Sequence, residues 1–176
     1  KQEPFNLASA LDFSPIVTGL KLAGNTPVIL VNEPILISRG ENSDIRYNFF
    51  YPRWAYDGYR QALQAKAVAN GWNYIDLWDL VPESEFSNSA IHLTTAGEQL
   101  LAERIARELE DQKSLGRVYS AFTYYHTMKG NLVLSTEYSE KTYYYAEQAH
   151  DINAMIKSGH IITAMHWVFG NLESSA

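Results

Sequence analysis

The chain has 176 residues, 46% of them hydrophobic and 19% charged. That composition suits one folded domain, or one with an appendage, and is globular rather than disordered or fibrous. The net charge of -6 and a pI of about 5.3 make nucleic acid a poor partner, because a phosphate backbone is repelled on average. Cysteine is absent, which rules out disulfides, thiolate zinc sites and a cysteine nucleophile. This fits exported and cytosolic compartments alike, with an extracellular or periplasmic place slightly favoured. The longest apolar runs, such as Pro27 to Val31, are far shorter than the ~20 residues a membrane span needs. No signal-peptide pattern opens the chain. It starts at Lys1 rather than Met, so the natural chain is expected to begin upstream.

Ser14 to Ala23 is expected to be a helix. Pro27-Val28-Ile29-Leu30-Val31, behind Gly24-Asn25, has the look of a strand buried on both faces of a parallel sheet. From Arg53 to Asn70, the residues Ala55, Tyr59, Ala62, Leu63 and Ala67 recur at helical spacing, and Asn70-Gly71 supplies a C-terminal stop. Trp72 to Trp78 is short and aromatic, and so reads as a strand. A loop follows over Val81 to Ile91. The next helix begins at Thr95, where Thr95 and Glu98 form a capping box. Leu101, Ile105 and Leu109 mark its apolar face. Alternating strands and helices predict an α/β layered fold with a parallel sheet.

Composition shifts near Lys113 to Gly116. Up to Lys113 there are 15 acidic and 10 basic residues; beyond it there are 5 and 4. Seven of the 12 tyrosines and four of the five histidines follow that point. We therefore divide the chain into 1–113 and an appended segment, 114–176, expected to be mostly helical. There Leu132-Val133-Leu134 reads as a short strand, Thr142 to Lys157 as a helix stopped by Ser158-Gly159, and His160 to Phe169 as a further helix. No internal repeat is evident. Glu147 and His150 have the i, i+3 spacing of carboxylate-bridged metal sites, but one Glu-x-x-His without a second copy makes no such site. No metal or cofactor is expected. The run Tyr143-Tyr144-Tyr145 faces several sides of a helix and predicts contact with the sheet or a partner subunit.

The segment with most chemistry is Phe86-Ser87-Asn88-Ser89-Ala90-Ile91-His92-Leu93-Thr94-Thr95-Ala96-Gly97. It places a histidine in a loop after the last expected strand, where open α/β sheets build their sites. A histidine there can act as a general base near neutral pH. Asn32-Glu33-Pro34 occupies a similar strand-end position. The long stretch from Asn42 to Arg53 carries Arg46, Tyr47, Asn48, Tyr51 and Arg53. Its guanidinium forks suit a carboxylate or other anion, and its tyrosines a sugar.

His92-Leu93-Thr94 with Gly97, followed by Leu101, Ala102 and Ile105, resembles the last conserved block of the SGNH (GDSL-type) hydrolases. Those are serine esterases, lipases and carbohydrate O-acyl hydrolases or transferases. Pro27 to Pro34 and Ile75-Asp76-Leu77 resemble their late strands, so the resemblance covers roughly Ser14 to Leu109. It implies a three-layer flavodoxin-like (SGNH-like) parallel sheet, incomplete in this chain. It also implies His92 as the base that takes a proton from a serine hydroxyl. The family carries an aspartate three residues before that histidine; here the position is Ser89, with Asn88 beside it. Either side chain can orient the imidazole, and neither supplies negative charge.

The family's Gly-Asp-Ser and Gly-x-Asn-Asp blocks have no match here, nor does Gly-x-Ser-x-Gly. The resemblance places the nucleophile outside this sequence. Two functions then stand. One is an esterase or acyltransferase acting on a small-molecule or carbohydrate ester, with His92, Ser89 and Asn88 at the catalytic loop and Asn32, Glu33, Arg46 and Arg53 meeting substrate. The other is a non-catalytic SGNH-derived binding or structural module. Half a sheet leaves an open edge, so a partner segment or a second copy is expected to complete it.

Overall fold

The computed structural model describes residues 10–170. The chain resolves into two compact units that divide between Gly97 and Glu98.

In the first unit, α1 (Ser14–Ala23) opens with Pro15 in its first turn, a position where proline costs nothing. The Asp12 carboxylate accepts the Ser14 N–H at 2.8 Å just before it. Strand β1 (Leu30–Asn32) follows, then α2 (Arg53–Asn70) and β2 (Tyr74–Asp76). Gly71, at a left-handed φ of 64°, ends α2 by donating its N–H to the Ala67 and Val68 carbonyls. The strands pair in parallel, Leu30 with Tyr74, Val31 with Ile75 and Asn32 with Asp76. Both expected helices of this stretch have their expected bounds.

The expected three-layer flavodoxin-like sheet is not the fold. Among the described residues there are two strands of three residues each, and the chain is otherwise mostly helix and loop. The apolar run from Pro27 joins a ladder only at Leu30, opposite Tyr74, because its partner strand begins there, just after the Gly71 stop of α2; Pro34, without an N–H to donate, follows the strand. Beyond it the chain leaves the ladder: Ile35 N–H reaches Trp78 O, Leu36 N–H reaches Ala90 O and Ser38 N–H reaches Tyr47 O. An aromatic cluster forms the core instead of sheet-facing aliphatics. Ile35, Tyr47 and Tyr56 are buried, with Ile37, Tyr51, Tyr59 and Trp78 against them. The Tyr47 and Trp78 rings meet edge-on at 4.8 Å, a favoured aromatic geometry.

Helix α3 (Thr95–Glu108) starts where expected, but its cap is not the Thr95–Glu98 box. Thr94, one residue earlier, accepts the Gly97 N–H on its hydroxyl at 3.2 Å and donates to the Glu85 carboxylate. Gly97 permits a close approach to this loop rather than to a sheet. A Cβ at that position would lie 2.8 Å from the Glu85 carbonyl oxygen. Gly97→Ala therefore has to displace backbone. It is expected to lose about 1–3 kcal/mol in urea unfolding, the usual range for overpacking; a loss under about 0.3 kcal/mol would show the contact to be soft.

The second unit contains the rest of α3, then α4 (Gln112–Met128), α5 (Leu132–Gln148) and α6 (Ile152–Val168). Helix α5 packs against both α4 and α6, which touch each other little. Leu132-Val133-Leu134, expected as a strand, is the first turn of α5, because the Asn131 side chain accepts the Leu134 N–H at 3.2 Å and starts a helix there. The expected helix from Thr142 to Lys157 is two helices. The backbone turns at His150, with φ 53°, and Asp151 caps α6 by accepting the Ala154 N–H at 3.1 Å. Ser158-Gly159 lies inside α6 and stops nothing; the region from His160 is helical as expected. Leu109 falls past the end of α3 and is 45% exposed, and Ala106 is buried in its place.

Tyr119 anchors this unit, 1% exposed and flanked by the Tyr138 and Tyr145 rings at 6.1 and 5.4 Å. Its hydroxyl donates to the Glu103 carboxylate, which also accepts from Arg107 at 2.7 Å. Burial raises the Glu103 pKa, but the Tyr119 hydroxyl and Arg107 together outweigh it and hold the carboxyl below its ordinary 4.5. A carboxyl depressed in the folded state stabilises it above the unfolded value, and loses that contribution as pH falls through the folded one. Glu103→Gln is expected to flatten the decline of stability below about pH 4.5, read from thermal midpoints at stepped pH. An unchanged acid slope would remove Glu103 from the account.

Candidate active site

The histidine loop is built by backbone pairing. After a single 3₁₀ turn at Glu83–Glu85, Phe86 and Leu93 form an antiparallel bridge. Ser87 N–H donates to His92 O, and Thr94 N–H to Glu85 O, both at 2.8 Å. At the tip, the Ser89 hydroxyl accepts the Ile91 and His92 N–H groups at 3.2 and 2.9 Å. This local turn is the kind serine favours. It brings Asn88 and His92 together, with Asn88 Oδ1 3.3 Å from His92 Nδ1. Of the two candidate orienters, Asn88 meets the ring and Ser89 holds the backbone that carries it.

An amide oxygen against Nδ1 selects the tautomer with its proton there, leaving the Nε2 lone pair free. The ring is exposed, so Nε2 is open to a reacting group. A histidine held in this way, with its second nitrogen free, is able to accept a proton.

Beside the loop lies a cleft of about 600 Å³, walled by Val31, Pro34, Ile35, Tyr51, Tyr56 and Tyr59, with Phe50 and Ile91 at its edge. Ile91 immediately precedes His92, and Ala90 O accepts the Leu36 N–H, tying the loop to the cleft wall. The exposed Glu33 and the buried Asn32 also line the cleft. Asn32 has further obligations. Its amide donates to Asp76 at 2.8 Å and to the Tyr56 oxygen at 3.2 Å. Burial pushes the Tyr56 hydroxyl up to about 12, against the lowering effect of the Asn32 hydrogen bond, so the phenol stays neutral near pH 7.

The two arginines lie elsewhere. Arg53 donates its Nε to Ser43 O at 2.6 Å, and its guanidinium lies 4.2 Å from the Tyr47 ring centre. It braces the Asn42–Arg53 loop. Arg46 borders a separate groove of about 310 Å³ with Asn42, Ser43 and Tyr47. The structure thus brings Asn32 and Glu33 into one cleft, which the histidine loop reaches through Ile91; His92, Asn88, Ser89 and both arginines do not line it.

Sequence reasoning missed the ion pair beneath this site. Arg60 donates twice to Asp76 Oδ2, at 3.0 and 2.7 Å, while Asp76 Oδ1 takes the Asn32 amide. Arg60 also lies over the Trp78 ring at 4.1 Å. Its one legible trace was Asp76, an acid set between Ile75 and Leu77 in the expected strand. Glu147 and His150 are exposed, and His150 stands in the turn past α5, off any helical face. Among the described residues no group of three or more His, Asp or Glu is placed to hold a metal ion, and no helix is long and apolar enough to cross a membrane.

Comparisons with protein-family models, with curated proteins and with solved structures found no match to this chain.

Proposed function

We propose that the first unit carries the base half of an ester hydrolase or acyltransferase site. The observation that carries this is the Asn88 Oδ1–His92 Nδ1 contact at 3.3 Å on an exposed loop, next to an apolar cleft of about 600 Å³. His92 Nε2 takes the proton of a serine hydroxyl as it attacks the ester carbonyl, and returns it to the leaving alcohol. The acyl group occupies the cleft between Val31, Phe50 and Tyr59. The nucleophilic serine is taken to come from outside these 176 residues, because they contain neither a Gly-Asp-Ser nor a Gly-x-Ser-x-Gly block.

The SGNH-like pattern around His92 supports this reading, and the substrate class follows from it: a small ester or an O-acylated carbohydrate. The neutral Asn88 favours a second reading, a non-catalytic module on the same scaffold, because an amide does not stabilise the imidazolium formed in the reaction as a carboxylate does.

Turnover of p-nitrophenyl acyl esters by protein isolated under native conditions separates the two. Asn88→Asp supplies the missing charge, and is expected to raise kcat by about tenfold or more. Hydrolysis in neither wild type nor Asn88→Asp would favour the binding module.

A further inference from the structure

The helices of the second unit repeat with a fixed period. Asp111, Asn131 and Asp151 stand 20 residues apart, and each caps a 17-residue helix by accepting the N–H three residues on. The residues before them, Glu110, Gly130 and His150, have positive φ of 50°, 71° and 53°, and Gly170 continues the series at 75°. Over 40 residues side chains recur as well: Asp111, Arg117, Thr123 and His126 match Asp151, Lys157, Thr163 and His166. The expectation of no internal repeat is corrected here. Helix α5 turns back along α4, with Ser135 beside Thr127 at one end and Ala146 against Gly116 at the other. The matching helices α4 and α6 therefore begin at the same end of α5.

This sets one basic position of the repeat twice around one groove. The groove, of about 230 Å³, lies between the starts of α4 and α6, floored by Gly116 and Ala146 and ringed by Lys113, Arg117 and Lys157. Arg117 and Lys157 are each the sixth residue of their helix. The gathering is selective. Residues 98–170 contain seven basic residues. Arg104, Arg107 and Lys141 each pair with a glutamate four residues away on their own helix, and Lys129 lies 5.9 Å from the Tyr125 ring centre. The other three all line the groove, are exposed, and form no ion pair among the described residues. The carboxylate in the lining, Asp151, is turned to its own helix, where it accepts the Ala154 N–H at 3.1 Å. Asp111, the acid close to Arg117, is likewise held by the Ser114 N–H at 3.0 Å.

We propose that the groove between the matching ends of α4 and α6 binds an acidic peptide segment, whose carboxylates pair with Lys113, Arg117 and Lys157. The charges are complementary: three unpaired cations against one capping carboxylate leave the groove positive. Residues 98–170 as a whole carry nine acidic residues against the seven basic. A short acid-bearing segment meets only the groove, whereas an extended polyphosphate also meets the repelling surface around it. The volume is below the ~300–1,000 Å³ of pockets that enclose small molecules, which suits side chains laid across the groove. Ser120 and Asn153, exposed in its lining, offer neutral donors and acceptors to a peptide backbone.

The test uses the full chain and a fluorescein-labelled peptide of alternating Glu and Gly, read by anisotropy at low salt. Arg117→Glu/Lys157→Glu is expected to weaken binding at least ~10-fold, while Lys66→Glu/Lys129→Glu, an equal change of net charge elsewhere, leaves it within about 2-fold. The same peptide with Gln for Glu is expected not to bind. All four substituted positions are exposed, and circular dichroism checks that the variants fold. Arg117→Gln/Lys157→Gln, which removes charge without reversing it, is a second reading, with at least ~3-fold weakening expected. No binding to wild type, equal losses in the two reversed pairs, or equal binding of the Gln peptide would overturn the site. Inorganic phosphate that displaces the peptide at matched concentration would overturn the peptide assignment too, in favour of a small anion.

Discussion

His92→Ala is expected to lower the rate of serine acylation by on the order of 10⁴-fold, the scale on which a base that acts with its nucleophile as one unit fails when removed. The residue is exposed and its ring touches only Asn88 among the side chains hydrogen-bonded to it. The turn is held by the His92 and Ile91 backbone amides on Ser89, which alanine preserves. Unfolding stability should therefore stay within about 0.5 kcal/mol of wild type. A variant that folds normally and reacts at the wild-type rate would take His92 out of the chemistry. A variant that loses stability instead would make it a structural residue.

Asp76→Ala is expected to produce the largest stability loss in the first unit. Both carboxylate oxygens are engaged, Oδ1 by Asn32 and Oδ2 by the Arg60 fork. Removing them leaves the Arg60 guanidinium with only the Asp57 carboxylate, 3.8 Å away, and the buried Asn32 amide with only the Tyr56 oxygen. Breaking a fully buried ion pair costs about 3–5 kcal/mol. These side chains keep 23% and 22% exposure, and water recovers part of the loss, so about 2–3 kcal/mol is expected. Asp76→Asn, which retains one acceptor, should lose less. Urea unfolding followed by tryptophan fluorescence reads this well, since Trp54, Trp72 and Trp78 all lie in the first unit. A loss below about 0.5 kcal/mol would reduce the pair to an ordinary surface salt bridge. The same variant frees the Asn32 amide at the cleft wall, so reduced ester turnover is expected alongside.

Local signals carried the helices of the first unit. Pro15, Gly24 and Gly71 act within a turn of where they stand, and the bounds of α1 and α2 follow from them. The sheet was overread because an apolar, β-branched run states that a segment is buried, not how many strands lie beside it. Here Pro27 is exposed and Val28 to Val31 are only half-buried, not covered on both faces; the buried cluster is Ile35, Tyr47 and Tyr56 with Trp78, and its grouping depends on loop pairings such as Ser38 with Tyr47. No spacing rule shows these.

In the second unit the apolar spacing of Ala146, Ala149, Ile152 and Ile156 ran straight through a turn. Ala149 keeps right-handed, near-helical angles of -87° and -2°, and only His150 leaves the helix. The decisive signal was Asp or Asn every 20 residues, which emerges only when segments are compared across the chain. At the candidate site, the loop position of His92 was legible. The division of labour between Asn88 and Ser89 was not, because it depends on which side chain turns back to the backbone amides. The Arg60–Asp76 pair joins residues 16 apart on a helix and a strand, beyond any local pattern.

The most direct test of the hydrolase reading is the intact mass of natively isolated protein after exposure to a fluorophosphonate probe, followed by peptide mapping of the labelled material. The account predicts one adduct on a serine outside Lys1–Ala176, present with wild-type His92 and lost in His92→Ala. Folded protein that takes up no label would contradict it, and would make the cleft beside Asn32 and Glu33 a binding site without catalysis.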